Sequence, residues 1–285
     1  MLGVNLDQLA SEMKKLTGND IDIPAAPFSS LYYTRERNAE SGRTEVHTCD
    51  ASSSYAVVST HNISAFLPDE WKNGTFDIDN GDLYYIKVRN TESGKVEIHR
   101  VPIAWRHSQF DLHSPTAFTL GDADNGRWTV GDRDLYFIKT KNCASGMIEV
   151  HRASHKNYNA LDIGVATSLP QSEEGNGTFI VFAQNLYFIK YRNAETANVE
   201  IHKLGGGDSY KHVTKTKTWF NVKDGGNGTW DVGPNGDLYF IKTKNCESGK
   251  AEVHIALAKS KYQEVYHYAS GFGEGLGPDG TWCVR

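Results

Sequence analysis

One peptide pattern occurs five times in this chain, and a repeat of that kind constrains the fold more than any other feature of a sequence. LYYTRERN begins at Leu31, LYYIKVRN at Leu83, LYFIKTKN at Leu135, LYFIKYRN at Leu186 and LYFIKTKN at Leu238. The starts lie 52, 52, 51 and 52 residues apart. Each is followed by a Glu-x-His triplet: Glu45 and His47, Glu97 and His99, Glu149 and His151, Glu200 and His202, Glu252 and His254. A third marker, Asn/Asp-Gly with an aromatic residue two positions after the glycine, begins at Asn73, Asn125, Asn176, Asn227 and Asp279. One repeat is too small to bury its own apolar face, so the copies must pack on one another.

Within a repeat the Leu-aromatic-aromatic segment is apolar, β-branched and aromatic. Asn-x-x-Ser-Gly supplies turn chemistry after it in every repeat but the fourth, and a second strand follows. In the last repeat, Leu238 to Lys244 and Ala251 to Ala256 form this hairpin, a third strand lies near Tyr262 to Ala269, and a fourth starts at Gly280. Four short antiparallel strands per repeat make a propeller blade, so the fold class is all-β, a five-bladed β-propeller of four-stranded antiparallel blades over residues 29–285. The Leu-aromatic-aromatic strand is the most continuously apolar, which places it innermost and the Gly-x-Trp/Phe strand outermost. The alternative frame puts the Trp282 strand into the blade that begins at Leu31. Residues 1–28 stand apart. Leu6, Leu9, Met13 and Leu16 form an apolar stripe over residues 4–16, which predicts a short amphipathic helix that docks on the propeller or on a second copy of the chain. A proline-containing linker follows it.

Composition narrows the functional class. A formal net charge of -5 provides no basic field for phosphates, which argues against nucleic acid as a partner. No apolar stretch reaches the roughly 18 residues of a membrane span, and the first residues lack a signal peptide's apolar segment. The expectation is therefore a cytoplasmic or non-classically secreted protein with no membrane insertion. Cys49, Cys143, Cys246 and Cys283 are too few for a disulfide scaffold and read as free thiols. The Asn-Gly-Thr sequons at Asn73, Asn176 and Asn227 read as tight turns before glycan acceptors.

Several polar positions recur with the apolar ones. A basic residue followed by Asn ends the first strand of every repeat: Arg37 and Asn38, Arg89 and Asn90, Lys141 and Asn142, Arg192 and Asn193, Lys244 and Asn245. A second base lies in midstrand at Arg35, Lys87, Lys139, Lys190 and Lys242. In an up-and-down blade these residues, the Glu-x-His triplets and the Asn/Asp-Gly markers converge on one end, while the opposite end is built from dissimilar loops. The basic-Asn pairs and the Glu-x-His triplets are thus the candidate binding residues of a five-fold face. Against this stands a purely architectural role, in which Glu, His and base form a buried network and Asn caps a turn. Trp128, Trp230, Trp282, Phe76 and Phe179 read as blade core.

No carboxylate pair, Ser-His-Asp set or Cys-His pair stands apart from the repeat, so no catalytic residue and no cofactor is expected. Glu-x-His offers two metal ligands per blade but no third recurring one, so no metal site is expected either. The Asp77, Asp79, Asn80, Gly81, Asp82 cluster has the composition of a calcium loop but does not recur.

In blade regularity residues 31–285 resemble the sequence-symmetric propeller lectins, in the manner of the five-bladed tachylectin-2 type and of fungal and bacterial propeller lectins. That resemblance implies multivalent binding of glycans or glycoproteins, one pocket per blade, with no site residue carried over. Weak sites in five copies gain by avidity on a glycan-bearing surface. The other class kept open is a protein-protein scaffold, on account of Trp71, Trp105 and Trp219, which do not follow the repeat.

Overall fold

The computed structural model describes residues 29–285. The expected helix over residues 4–16 lies outside the described residues. The fold is a five-bladed propeller of four-stranded antiparallel sheets. Blade 2 contains β4 (Gly74–Asp79), β5 (Asp82–Lys87), β6 (Lys95–Val101) and β7 (Leu112–Thr119). Blade 3 contains β8 (Gly126–Gly131), β9 (Asp134–Lys139), β10 (Met147–Ala153) and β11 (Leu161–Pro170). Blade 4 contains β12 (Gly177–Phe182), β13 (Asn185–Lys190), β14 (Asn198–Leu204) and β15 (Val213–Asn221). Blade 5 contains β16 (Gly228–Val232), β17 (Leu238–Lys242), β18 (Lys250–Ala256) and β19 (Val265–Gly273). Blade 1 joins β20 (Gly280–Val284) to β1 (Leu31–Arg35), β2 (Glu45–Cys49) and β3 (Val58–Ile63), so both ends of the described chain share one sheet.

This order corrects the expected frame. The Gly-x-aromatic strands β4, β8, β12, β16 and β20 are the inner ones, each beside the next around the axis, and the third strand of each repeat is outermost. The physical reason lies in the glycines. A Cβ on Gly74, Gly126, Gly177 or Gly228 would meet the carbonyl oxygen of Ile86, Ile138, Ile189 or Ile241 at 2.0 to 2.1 Å, so only glycine fits there. The Leu-aromatic-aromatic strand is continuously apolar for a different reason: it has a strand on each edge and a neighbouring blade on each face.

The core consists of five apolar clusters that combine adjacent blades. One holds Leu31, Tyr33 and Val284 of blade 1 with Tyr239, Ile241 and Val253 of blade 5. Inner and second strands are stitched by stacked aromatic pairs, at ring-centroid distances of 4.3 Å for Trp282 on Tyr33, 4.7 Å for Phe76 on Tyr85 and 4.3 Å for Trp128 on Phe137. Phe179 on Phe188 and Trp230 on Phe240 complete the set. These aromatic residues are blade core, as expected from the sequence.

The loops between second and third repeat strands, expected to be dissimilar, contain a further recurring residue: Tyr55, His107, Tyr158, Tyr210 and Tyr262. Its backbone carbonyl accepts a hydrogen bond from the preceding blade, through the amides of Gly271, Ala65, Ala117, Ser168 and Trp219. The side chain ties its loop to the inner hairpin turn at the same end of its own blade: Tyr158 donates to Arg133 O, Tyr210 to Gln184 O, Tyr262 to Gly236 O, and His107 Nε2 lies 2.9 Å from Gly81 O. The calcium-like cluster also has structural work. Asn80 and Gly81 form the two-residue turn between β4 and β5 with positive φ at both positions, as such hairpins require. Asp77 turns toward Arg285. All four cysteines are free, and no described helix is long and apolar enough to cross a membrane.

Candidate functional site

The basic-Asn pairs and the Asn/Asp-Gly markers do meet at one end of the propeller. Asn38, Asn90, Asn142, Asn193 and Asn245 all have φ between 48° and 55°, a left-handed conformation that asparagine tolerates because its short amide bonds locally. That amide is engaged in every blade. It donates to Asp279 in blade 1 at 2.9 Å, to Asn73, Asn125 and Asn176 at 2.7 Å each, and to Asn227 at 3.1 Å. The carbonyl of the same marker residue accepts two backbone amides from the turn, as Asn73 O does from Val88 and Arg89. The pair is thus a latch that fixes the hairpin to the start of the inner strand.

Three of the bases beside these asparagines reach the connection to the next blade, and Arg192 turns back to the connection that enters its own. The Arg37 guanidinium lies 3.8 Å over the Trp71 ring, Arg89 pairs with Asp124 at 2.5 Å, and Lys141 with Glu174 at 3.4 Å. Arg192 donates to Gly175 O, and Lys244 is exposed.

The Glu-x-His triplets form a rung on one face of each blade. Register pairing puts each Glu opposite the midstrand base, as Glu97 opposite Lys87, and each His opposite the second aromatic, as His99 opposite Tyr85. One carboxylate oxygen is fixed by the turn: Ser41, Ser93, Thr196 and Ser248 donate backbone amides to Glu45, Glu97, Glu200 and Glu252, and the Ser145 hydroxyl donates to Glu149. The other oxygen faces the histidine, at 3.1 Å for Glu45 and His47, 3.6 Å for Glu97 and His99, and 3.4 Å for Glu252 and His254. In blades 3 and 4 the corresponding distance is 3.2 Å. Burial pushes the carboxyls of Glu45, Glu97, Glu200 and Glu252 up, but the turn amides and hydroxyls outweigh it and hold them below the ordinary range. Burial first, and a neighbouring histidine second, push His99 and His254 down to about 4.

The neighbouring histidine corrects the expectation that no third ligand recurs. His61, His113 and His267, on the outer strands β3, β7 and β19, lie directly opposite His47, His99 and His254. Each pair of rings is stacked, with centroids 4.4, 4.3 and 4.3 Å apart. The signal was in the sequence, since these residues follow the triplet histidines by fourteen, fourteen and thirteen positions. Blades 3 and 4 carry Gly164 and Lys215 at this position instead.

These rungs border grooves between blades. The groove of blades 4 and 5 has a volume of about 480 Å³ and is lined by Trp219, Lys242, Glu252, His254, Gln263 and His267. That of blades 1 and 2, about 230 Å³, is lined by Phe66, Glu70, Lys87, His99, Phe110 and His113. Trp219 is 59% exposed, so one wall of the larger groove is an open indole face.

No protein-family profile and no curated protein matches the chain. Similar solved structures exist. TolB from Acinetobacter baumannii aligns over 98% of this chain and 71% of its own, with 11% identity and a TM-score of 0.44. A puromycin hydrolase aligns over 89% of this chain, which spans 36% of the hydrolase, with 10% identity and a TM-score of 0.36.

Proposed function

We propose that this propeller is a multivalent carbohydrate-binding protein that takes sugar rings in the grooves between blades and binds without turnover. The observation that carries the reading is the groove of blades 4 and 5, where an exposed indole faces Lys242, Glu252, His254 and Gln263. A sugar ring offers an apolar C–H face for stacking and hydroxyls that want charged donors and acceptors. The repeated rung supplies a base, a carboxylate and an imidazole in register in all five blades. The ligands are glycans or glycoproteins, and several weak sites on one molecule favour a surface that presents many copies.

The Asn latch narrows the residues that serve the ligand. With the asparagine amides committed to the markers, recognition falls to the midstrand base, Glu-x-His and the groove aromatics. A glycan array followed by calorimetry with the best sugar tests this. Trp219→Ala is expected to remove one site from the stoichiometry while the melting temperature stays within a degree or two. An array without hits would refute sugar binding.

A protein-docking scaffold is the second reading. The connection from β6 to β7 carries Ile103, Trp105 and Phe110, all exposed, whereas the same connection in blade 1 exposes only Val57 among its large apolar residues. Exposed apolar groups concentrated on one loop suit a protein partner.

A further inference from the structure

Five copies of one rung allow each blade to be read against the others, and three differ from the remaining two in a way that has chemical content. In blades 1, 2 and 5 a carboxylate and two imidazoles converge: Glu45, His47 and His61; Glu97, His99 and His113; Glu252, His254 and His267. The Oε2 of Glu45 lies 3.1 and 3.4 Å from the two Nε2 atoms, that of Glu97 3.6 and 3.7 Å, and that of Glu252 3.4 and 3.6 Å. With bond lengths near 2.1 Å, two ligands of a tetrahedral ion stand about 3.4 Å apart, which is the spacing observed.

A second observation comes from hydrogen bonding. In blades 2 and 5, Glu97 Oε2, His99 Nε2, Glu252 Oε2 and His254 Nε2 are buried and make no hydrogen bond, whereas in blade 1 Glu45 Oε2 and His47 Nε2 lie within hydrogen-bond distance at 3.1 Å. Glu97 and Glu252 are only 1% exposed. A buried charged oxygen without a partner is costly, and such atoms call for an unseen cation or proton. Meanwhile the other carboxylate oxygen accepts the amide of Ser41, Ser93 or Ser248, the kind of outer-shell bond that orients a metal ligand.

We propose that the Glu-His-His sets of blades 1, 2 and 5 are three equivalent sites for a divalent transition ion of the zinc class, each leaving one coordination position open to solvent. Neutral imidazoles and a carboxylate form the donor set such ions prefer over calcium or magnesium. Nearly parallel rings cannot both aim at one ion, so binding requires the pair to splay. The outer histidines, with side chains 46 to 50% exposed, have room to do so. The Lys242 ammonium, 3.7 Å from Glu252 Oε2, competes for that oxygen and has to swing into the groove. Blades 3 and 4 lack the outer histidine and serve as controls within the same molecule. These ligands also line the grooves assigned to sugar, but the proposal does not depend on that reading, because metal uptake is measured without sugar.

The test uses tag-free full-length protein stripped with a chelator, titrated with zinc chloride by calorimetry, with bound metal counted after equilibrium dialysis. About three equivalents are expected, two in His267→Ala, and none at the same concentration in the triple variant His61→Ala, His113→Ala, His267→Ala. Loss of a direct ligand should weaken a site by at least the roughly 10–100-fold that outer-shell partners alone contribute. Cobalt(II) in place of zinc is expected to give the visible absorption of a four-coordinate ion, absent in the triple variant. The substituted residues are half-exposed, so an unchanged circular dichroism spectrum will verify folding. Gly164→His should add a fourth equivalent. Uptake below one equivalent, or uptake the triple variant leaves unchanged, overturns the proposal.

Discussion

Replacing Arg285 with methionine should destabilise the propeller by several kcal/mol, because one guanidinium ties three blades together near the axis. Arg285 Nη1 lies 2.9 Å from Asp231 Oδ2 in blade 5, Nη2 lies 3.4 Å from Asp77 Oδ1 in blade 2, and Nε donates to Ile78 O at 2.7 Å. All three charged side chains are close to fully buried. Breaking a buried pair by removing one partner costs about 3–5 kcal/mol, since the other charge is stranded. Asp77 retains the Thr129 hydroxyl and the Val130 amide, and Asp231 retains the amides of Val232 and Val284, so the lower half of that range applies. At about 2 °C per kcal/mol for a chain of this size, the melting temperature should fall by roughly 6–8 °C in a calorimetric scan near neutral pH. The pH dependence supplies a second readout. Burial already raises the Asp77 pKa against the pull of Arg285, and losing the arginine raises it further. A group with a raised folded-state pKa contributes stability at low pH that is lost as pH rises, so the deficit relative to the parent should shrink on acidification. Asp231→Asn in the same background should restore part of it. A variant that melts within a degree of the parent would refute the clamp.

Gly228→Ala, which would bring a Cβ to 2.0 Å from Ile241 O, is expected to lower stability in urea by about 3 kcal/mol or more, whereas Gly94→Ala, with open space around it but φ of +71°, should cost only about 1–2 kcal/mol. Equal effects would contradict the crowding argument. Asn193→Ala should cost about 1–3 kcal/mol through the lost amide bond to Asn176 and the left-handed backbone, while Asn193→Gly costs less, as urea titration of both would reveal. His99 and His254, pushed down to about 4 by burial and by the facing histidine, are neutral in the fold and charge in the unfolded chain below pH of about 6.5. Depressed pKa values mean stability present above that pH and lost below it, up to about 2–3 kcal/mol per histidine by pH of about 4.5, so thermal melts that are flat over this range would count against the assignment.

The period, the blade count and four strands per repeat were legible in the sequence because local apolar patterning and turn residues report on local structure, although the third strand of the last repeat, expected near Tyr262 to Ala269, runs over Val265–Gly273 with Tyr262 in the loop before it. Radial order was not. Apolar continuity pointed to the Leu-aromatic-aromatic strand as innermost, yet the inner strands are those that begin with Gly74, Gly126, Gly177, Gly228 and Gly280, where the carbonyl of the paired second strand leaves no room for a Cβ. The candidate site was legible in part. Glu-x-His announced itself by adjacency, but His61, His113 and His267 meet it only across a strand pair, in three repeats out of five. Tyr55, Tyr158, Tyr210 and Tyr262 keep the repeat period too. Their loops share no other obvious sequence, and His107 breaks the residue type. The asparagines beside the terminal bases read equally well as ligand or cap until their amides were placed on the markers.

Blade 1 has a consequence for the order in which the molecule is made. Strands β1, β2 and β3 leave the ribosome well before β20, so the inner edge of β1 has no partner until β20 has been translated, and Tyr33 waits equally long for Trp282. Through that interval β1 presents a row of free amides and carbonyls next to an unstacked aromatic side chain, the condition under which strands recruit foreign ones. Any β20 will fit, since nothing in the pairing of Leu31 with Val284 distinguishes the chain's own strand from that of a second copy. Crowded nascent chains are therefore open to exchange of β20, which gives swapped dimers or longer rings in which each copy lends its β20 to the next. Folding in isolation and folding on a polysome are then different problems for this protein, with β20 as the element that separates them.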